Sequence, residues 1–259
     1  MKGLQGEGAL SYLGSESYSA KFMFYPDSLN AGLQEFRIDP DSGRQTGYPE
    51  VRGNNLTQHW LPYSDSMIVS TNDSALTMYN DKVSFDGSLV LTPDALSGNG
   101  KLDFFNATAK SDRFTFDYNA FHSDTTDLFL RILDEEDLAF STQDYRTFVD
   151  FENMKGTFET NGSSSRVNFP GVRYVSAMDA FDWYIKENEI DMFSRAGETE
   201  ALPDTTSLSG LITATPPGSR FISLHPLQDS LSFYAPGAKY NLTTNTLVAD
   251  GVKIIKVAD

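Results

Sequence analysis

The chain has 259 residues, of which 39% are hydrophobic and 13% aromatic, enough for a packed core and too apolar for a disordered segment. A net charge of −16, from 36 acidic against 20 basic residues, opposes a phosphate backbone and an anionic membrane surface, so nucleic acid is excluded as a partner. The absence of cysteine rules out disulfides, thiolate metal sites and cysteine nucleophiles, and no apolar run approaches the ~20 residues of a membrane helix.

The opening, MKGLQGEGAL, has no apolar stretch of the kind a secretory signal needs, and both ends read as cuts through a longer protein. The first element is GEGALSYLGSESYSAKFMF, Gly6 to Phe24. A Gly-x-Gly turn feeds a strand, a polar turn follows, and Phe22 and Phe24 share one face of the returning strand. Residues 31–63 carry fewer periodic positions and more Pro, Gly and Asn, and predict a long connection or irregular insertion. Strands are then predicted around Val83 and Phe85, and around Leu89 and Leu91.

Ninety-two residues after its first appearance the opening pattern returns as GNGKLDFFNATAKSDRFTF, Gly98 to Phe116. Gly6, Gly8, Leu10, Ser19, Phe22 and Phe24 recur, without a gap, as Gly98, Gly100, Leu102, Ser111, Phe114 and Phe116. A hairpin of this kind buries one face, and stacked copies would bury the rest, which is the logic of a repeat array. All four of these Phe side chains are expected on one continuous core. Weaker echoes begin at Gly156 and Gly210.

Further along, LDEEDLAFSTQDYRTF (133–148) is ambiguous, with a helical turn as one reading. In 177–193, Met178, Phe181 and Ile185 fit a helical stripe, while Phe181, Trp183 and Ile185 fit a strand with Ile190 and Met192 on its return. The hairpin is preferred because the rest of the chain is β. Residues 195–207 read as a loop and a soft boundary. Short strands continue through Leu231 and Phe233 to Val252 and Ile254, separated by turns such as Asn161-Gly162, Pro217-Gly218 and Asp250-Gly251. The expected fold is all-β: one elongated region, a β-solenoid or β-jellyroll-like ladder built from short strands and Gly-rich turns.

Few side chains invite chemistry. His59, His122 and His225 lie far apart, without metal-ligand spacing. Neither a nucleophile elbow nor a P-loop occurs, and Gly-x-Gly here lacks the third Gly and following helix of a dinucleotide site. Asp39, Asp41 and Glu50 take three positions of a calcium loop, but Arg44 stands where Gly is needed. These, and the acidic run Asp134 to Asp137, read as solvated turns. No cofactor is implied, no metal and no catalytic residue. His59, Trp60 and Tyr63 form an aromatic group suited to stacking on a sugar ring, or alternatively to plugging a loop onto a sheet. Asp followed by Ser or Thr and a small or aliphatic residue or Thr recurs six times, at Ser28, Ser66, Ser74, Thr125, Thr205 and Ser230. Such pairs cap turns before strands. They also resemble the O-glycosylation acceptor that the Bacteroidota use on exported proteins.

Three phrases, FYPDSL at Phe24, the stretch from Gly87 to Phe116, and the last 39 residues from Phe221, resemble very large β-rich envelope proteins of the Bacteroidota. Within the last, Ala238, Tyr240, Leu247, Ala249, Gly251 and Val252 are similar to the repeat of OstA/LptA-type lipopolysaccharide-transport proteins. The resemblance implies an exported segment of a longer protein, in the periplasm or at the cell surface. Its partners would be other segments of that protein or envelope components, with lipid or glycan as alternatives. The expected function is a non-enzymatic structural or scaffolding segment. A lipid- or glycan-binding or transport module is the first alternative, and a polysaccharide-cleaving β-helix enzyme the second.

Overall fold

A computed structural model describes residues 3–40, 47–132, 137–162, 166–194, 218–228, 231–252 and 254–257. Among them the chain is all-β, every described strand pairing is antiparallel, and the helical residues are two 3-10 turns, Pro62–Ser64 and Pro226–Gln228. The chain divides into two compact units. Met1–Asp124 with Asp150–Glu152 form the first, and Thr125–Val149 with Asn153–Asp259 the second. The boundary expected at 195–207 lies outside the described residues.

The first unit begins with β1 (Leu4–Tyr12) and β2 (Ser15–Phe24), a hairpin. There the ladder forks. The C-terminal end of β2 pairs with β3 (Leu29–Leu33), and its N-terminal end with β4 (Glu35–Ile38). One branch continues from β3 to β6 (Leu56–Leu61) and β7 (Ser66–Thr71). The other runs from β4 through β5 (Val51–Gly53) to β8 (Leu76–Met78). Both rejoin on β9 (Val83–Leu91), which takes β8 at Val83–Phe85 and β7 at Ser88–Leu91. From there β9 pairs with β10 (Leu96–Phe104), and β10 with β11 (Ala107–Phe116). Residues 31–63, expected as a loose connection, therefore hold most or all of four strands. They escape notice because strands of three to six residues give too few alternations to set a period.

The inward side chains of the two branches share a core, where Ser15 Oγ on one lies 3.9 Å from Met67 Sδ on the other. Leu29, Leu56, Met67 and Val69 come from one branch, and Phe36, Val51, Leu76 and Met78 from the other, all buried. Strands β9 and β10 serve both sides, and each reads buried at every second position except at its central glycine. Gly87 and Gly100 pair at that point, where the strands pass from one side of the fork to the other.

The two hairpins written alike in sequence are alike in register. Leu4↔Phe24, Gly6↔Phe22, Gly8↔Ser19 and Tyr12↔Ser15 correspond to Leu96↔Phe116, Gly98↔Phe114, Gly100↔Ser111 and Phe104↔Ala107. Both register shifts fall between the paired glycines. In both, the serine Oγ opposite the bulge accepts the backbone N–H two residues on, from Lys21 and from Arg113, at 3.0 Å. Phe22, Phe114 and Phe116 are buried and Phe24 is half-buried.

β12 (Ala120–Arg131) and β13 (Leu138–Asp150) each have residues in both units. Of the ambiguous stretch 133–148, residues 138–148 lie in a strand, with Ala139, Phe140 and Tyr145 buried, and residues 133–136 lie outside the described residues. The second unit is also forked. Ser141 and Thr142 of β13 pair with β15 (Val167–Phe169), which leads through β16 (Tyr174–Ser176), β19 (Ser219–Ser223) and β20 (Ser232–Ala235) to β23 (Ile255–Lys256). The other branch is β14 (Lys155–Thr160), β17 (Ala180–Tyr184), β18 (Glu189–Phe193), β21 (Gly237–Asn241) and β22 (Thr246–Asp250). The preferred hairpin of 177–193 is present as β17 and β18, with Phe181 opposite Met192 and Trp183 opposite Ile190. Rings join the branches: Phe169 of β15 lies 5.6 Å from Tyr240 of β21, edge to face.

Candidate functional site

The aromatic group expected to act together is divided by the alternation of β6. Leu56, Gln58 and Trp60 point inward, and the Trp60 ring lies 5.6 Å from that of Tyr12. His59 points outward, and its Nδ1 is hydrogen-bonded to the Asn30 side chain. Tyr63, in the following 3-10 turn, is 85% exposed. A sugar ring would find Tyr63 and His59 on the outer surface and Trp60 turned to the core.

The four described hydroxyl residues of the Asp-Ser/Thr pairs fall in three settings. Ser28 lies in the turn between β2 and β3, where its Oγ donates to Asp27 Oδ1 at 3.2 Å. Ser66 opens β7 and Ser74 is exposed in the turn before β8. Thr125 is exposed within β12. Thr205 and Ser230 lie outside the described residues, as do Asp41 and most of the acidic run Asp134 to Asp137. Of the calcium-loop acids, Glu50 pairs with Arg52 at 2.6 Å. Among the described residues no three His, Asp or Glu side chains gather as a metal site would require.

Two features stand out that no motif announced. The first is an apolar cleft of about 450 Å³ in the second unit. Tyr174, Phe233 and Ile255, from β16, β20 and β23, wall it on one branch, and Leu247 and Ala249 of β22 wall it on the other. Val172 and Val252 complete the apolar lining, with Asn245 and Thr246 as its polar groups. It forms beside β22 and β23, the last strands of the two branches among the described residues. Leu247 and Ala249 of its wall are held in place by pairing with Tyr240 and Ala238 of β21. The walls suit an acyl chain or another apolar group more than a sugar. The signal available in sequence was the C-terminal phrase, but the partners across the fork, Val172 and Tyr174, lie about 70 residues earlier.

The second is Gln58, at 0% exposure, whose amide oxygen and nitrogen both lack a hydrogen-bond partner. It sits on β6 between Ala31 and Val69. Burying both ends of an amide unpaired opposes folding, so the residue is not explained by packing alone.

Neighbouring charges on the outer surface form ordinary ladders. Lys239 on β21 reaches Glu189 and Asp191 on β18 at 3.0 and 2.9 Å, and its hydrogen bonds to Asp191 and then Glu189 hold its pKa well above the usual lysine value. Lys155 on β14 reaches Asp182 on β17 at 2.9 Å, and that hydrogen bond likewise raises its pKa. Such exposed pairs fix strand register and add little energy. Comparison with models of known protein families, with curated proteins and with solved structures finds no match for this chain.

Proposed function

We propose that this chain is a structural, non-enzymatic segment of a large exported envelope protein, built to extend a ladder of antiparallel strands. The observation that carries this reading is the register shared by the β1–β2 and β10–β11 hairpins, pair for pair at an offset of 92 residues. One sequence device, Gly-x-Gly opposite Ser and Phe-x-Phe, is used twice to produce one backbone geometry. Repetition of a geometric unit is how chains build long scaffolds, because each copy offers the next an edge and an apolar face. In cells that make the protein, replacing this segment by an unrelated antiparallel β module of equal length should leave envelope integrity intact. A defect that no such module repairs, but the original segment does, overturns the scaffold reading.

A second reading, a carrier of lipid or glycan, is favoured by the cleft between β16, β20, β22 and β23. Its apolar walls fit the lipid better. Native mass spectrometry of protein purified from its own envelope distinguishes the two readings. The scaffold predicts the bare chain mass, and the carrier predicts added lipid that Leu247→Asp removes.

A further inference from the structure

The fork gives the first unit two outer rows that both start on β2 and end on β10. Along one branch, Glu16, Arg37, Arg52, Thr77, Ser84 and Asp103 stand side by side on successive strands. Four of them are charged, and Glu16 and Arg37 pair at 2.6 Å. Along the other, Met23, Asn30, His59, Ile68, Val90 and Ser97 stand side by side on β2, β3, β6, β7, β9 and β10. None of these is Asp, Glu, Lys or Arg. The next row on the same branch, Gly32, Thr57, Ser70, Ser88 and Asn99, is equally free of them. In a chain with 36 acidic and 20 basic residues, two adjoining outward rows without a charge make a distinct surface. It is the middle of a sheet, not an edge: each of its strands is paired on both sides.

We propose that this uncharged face binds a neutral polysaccharide, its chain laid across the strands along the His59–Ile68–Val90 row. Electrostatics select the class: a chain at −16 repels an anionic glycan, and the face offers no carboxylate to a cationic one. The polar groups are hydroxyls and amides held by one another. Ser70 Oγ and Ser88 Oγ are 2.7 Å apart, and His59 Nδ1 is bonded to the Asn30 side chain. A hydroxyl in such a pair keeps capacity for a further bond outward. Ile68 and Val90, half-buried between these groups, give an apolar floor for the C–H face of a sugar ring. Strands repeat every ~4.8 Å, close to the rise of one sugar unit in an extended glycan, so successive units meet successive strands. Tyr25 and Tyr63, 45% and 85% exposed, lie in the β2–β3 and β6–β7 turns at one end of the face, where a ring can stack on sugar. The two rows hold no Trp, Phe, Tyr or Arg, the residues that anchor protein interfaces. His59 and Tyr63 therefore keep a sugar-contact role without Trp60, with partners from β3, β7 and β9. The inference goes beyond the scaffold reading, which holds whether or not a glycan is bound, and does not involve the cleft of the second unit.

The test is affinity electrophoresis of the whole chain through gels holding dextran, soluble mannan, soluble β-glucan, or the neutral polysaccharide fraction of the envelope that contains the protein. At least one should retard the chain, and anionic polygalacturonate should not. Retardation should be the same at about 0.05 and about 0.5 M salt, because no ion pair is broken. Ile68→Arg should weaken it at least tenfold, as should Ser97→Arg on another strand. Thr77→Arg, at the matching place on the charged branch, should change it less than twofold. A second arm uses the protein as its own cells make it, carrying Thr57→Cys in the uncharged face. Maleimide labelling at that position, read by peptide mapping, should proceed, and the retarding polysaccharide should slow it at least fivefold. Four results overturn the proposal: no retardation by any neutral polysaccharide; retardation by polygalacturonate that salt abolishes; equal losses from Ile68→Arg and Thr77→Arg; or no labelling of the Thr57→Cys protein even without polysaccharide. The last would assign the face to another segment of the same polypeptide or to a protein partner.

Discussion

Gly87 and Gly100 face each other across β9 and β10 so closely that neither tolerates a side chain. A Cβ on Gly87 would stand 2.1 Å from Asn99 O, and one on Gly100 2.2 Å from Asp86 O. The crossing of the fork depends on this contact, since both strands must turn from one branch to the other at the same level. Gly8 provides a natural control, with nearly the same φ and open space around it. Gly8→Ala should cost about 1–3 kcal/mol, the strain of the backbone conformation alone. Gly100→Ala should cost that strain and a further ~1–3 kcal/mol of overpacking. Urea unfolding of the two variants reads the difference directly, and equal losses would show that the close approach is readily relaxed.

The Phe pairs of the two hairpins allow a similar comparison. Phe114 and Phe116 are 0% and 1% exposed, their rings 6.0 Å apart, and Phe114 also meets Phe121 edge to face at 5.6 Å. Phe22 and Phe24 keep the same relationship at 6.4 Å, but Phe24 is half-buried beside the open edge strand. Phe114→Ala should lose about 3–5 kcal/mol, as full enclosure implies. Phe24→Ala should lose clearly less. Thermal or urea unfolding checks the order, and a Phe24 loss equal to that of Phe114 would mean the β1 edge is covered in solution.

The sequence makes the hairpins legible because each of their constraints falls on a distinctive residue. The bulge calls for glycine at positions 8 and 100, the backbone N–H beyond it calls for Ser19 and Ser111, and the core calls for Phe. The hairpin at 180–193 is legible by the same alternation. The fork is not. Which half of β2 meets β3 and which meets β4 depends on contacts between strands of three to five residues, and a stretch such as Val51-Arg52-Gly53 carries no period at all. The cleft is hidden for a related reason: its two walls belong to branches that separate early in the second unit and meet only in space. Trp60 shows how strand alternation decides between two readings open in the sequence, a sugar-stacking patch and a plug onto the sheet. An aromatic next to His and Tyr fits either, and alternation along β6 sends Trp60 inward and His59 outward.

Gln58 offers a stability test with a clear sign. Its amide is fully buried with neither end bonded, and each unpaired buried polar group costs about 1–3 kcal/mol. Met matches the shape of Gln and removes the polar atoms. Gln58→Met should therefore raise the unfolding free energy by about 1–3 kcal/mol, measured by urea denaturation at neutral pH. Lower stability in the variant would show that the amide is satisfied in solution, by water or by a bound polar group.

The core also carries a pH dependence on its alkaline side. Tyr79 donates to Ala120 O at 2.7 Å, and Tyr145 donates to Met178 O at 2.6 Å, both buried. The Tyr240 hydroxyl bonds to the Asn245 side chain. Desolvation is the main cause that raises all three phenols, Tyr145 and Tyr240 to about 12, and Tyr79 well above its ordinary value with a further push from Asp117. An unfolded tyrosine ionises near pH ~10. Below that pH both states hold their protons and the full stability is present. Above it the unfolded chain releases protons that the folded chain retains, so stability falls as pH rises from about 10 through the folded values. Urea midpoints at pH 9, 10 and 11 should be level at first and then drop steeply. Absorbance at the phenolate band should show late-ionising tyrosines that appear together with unfolding. Tyr145→Phe removes one of the three protons: it should lower the midpoint at pH 9, through the lost bond to Met178, and make the decline above pH 10 shallower. A decline as steep as that of the unsubstituted chain would mean that Tyr145 ionises freely in the folded state, and that its burial between β13 and Met178 is looser than the hydrogen bond indicates.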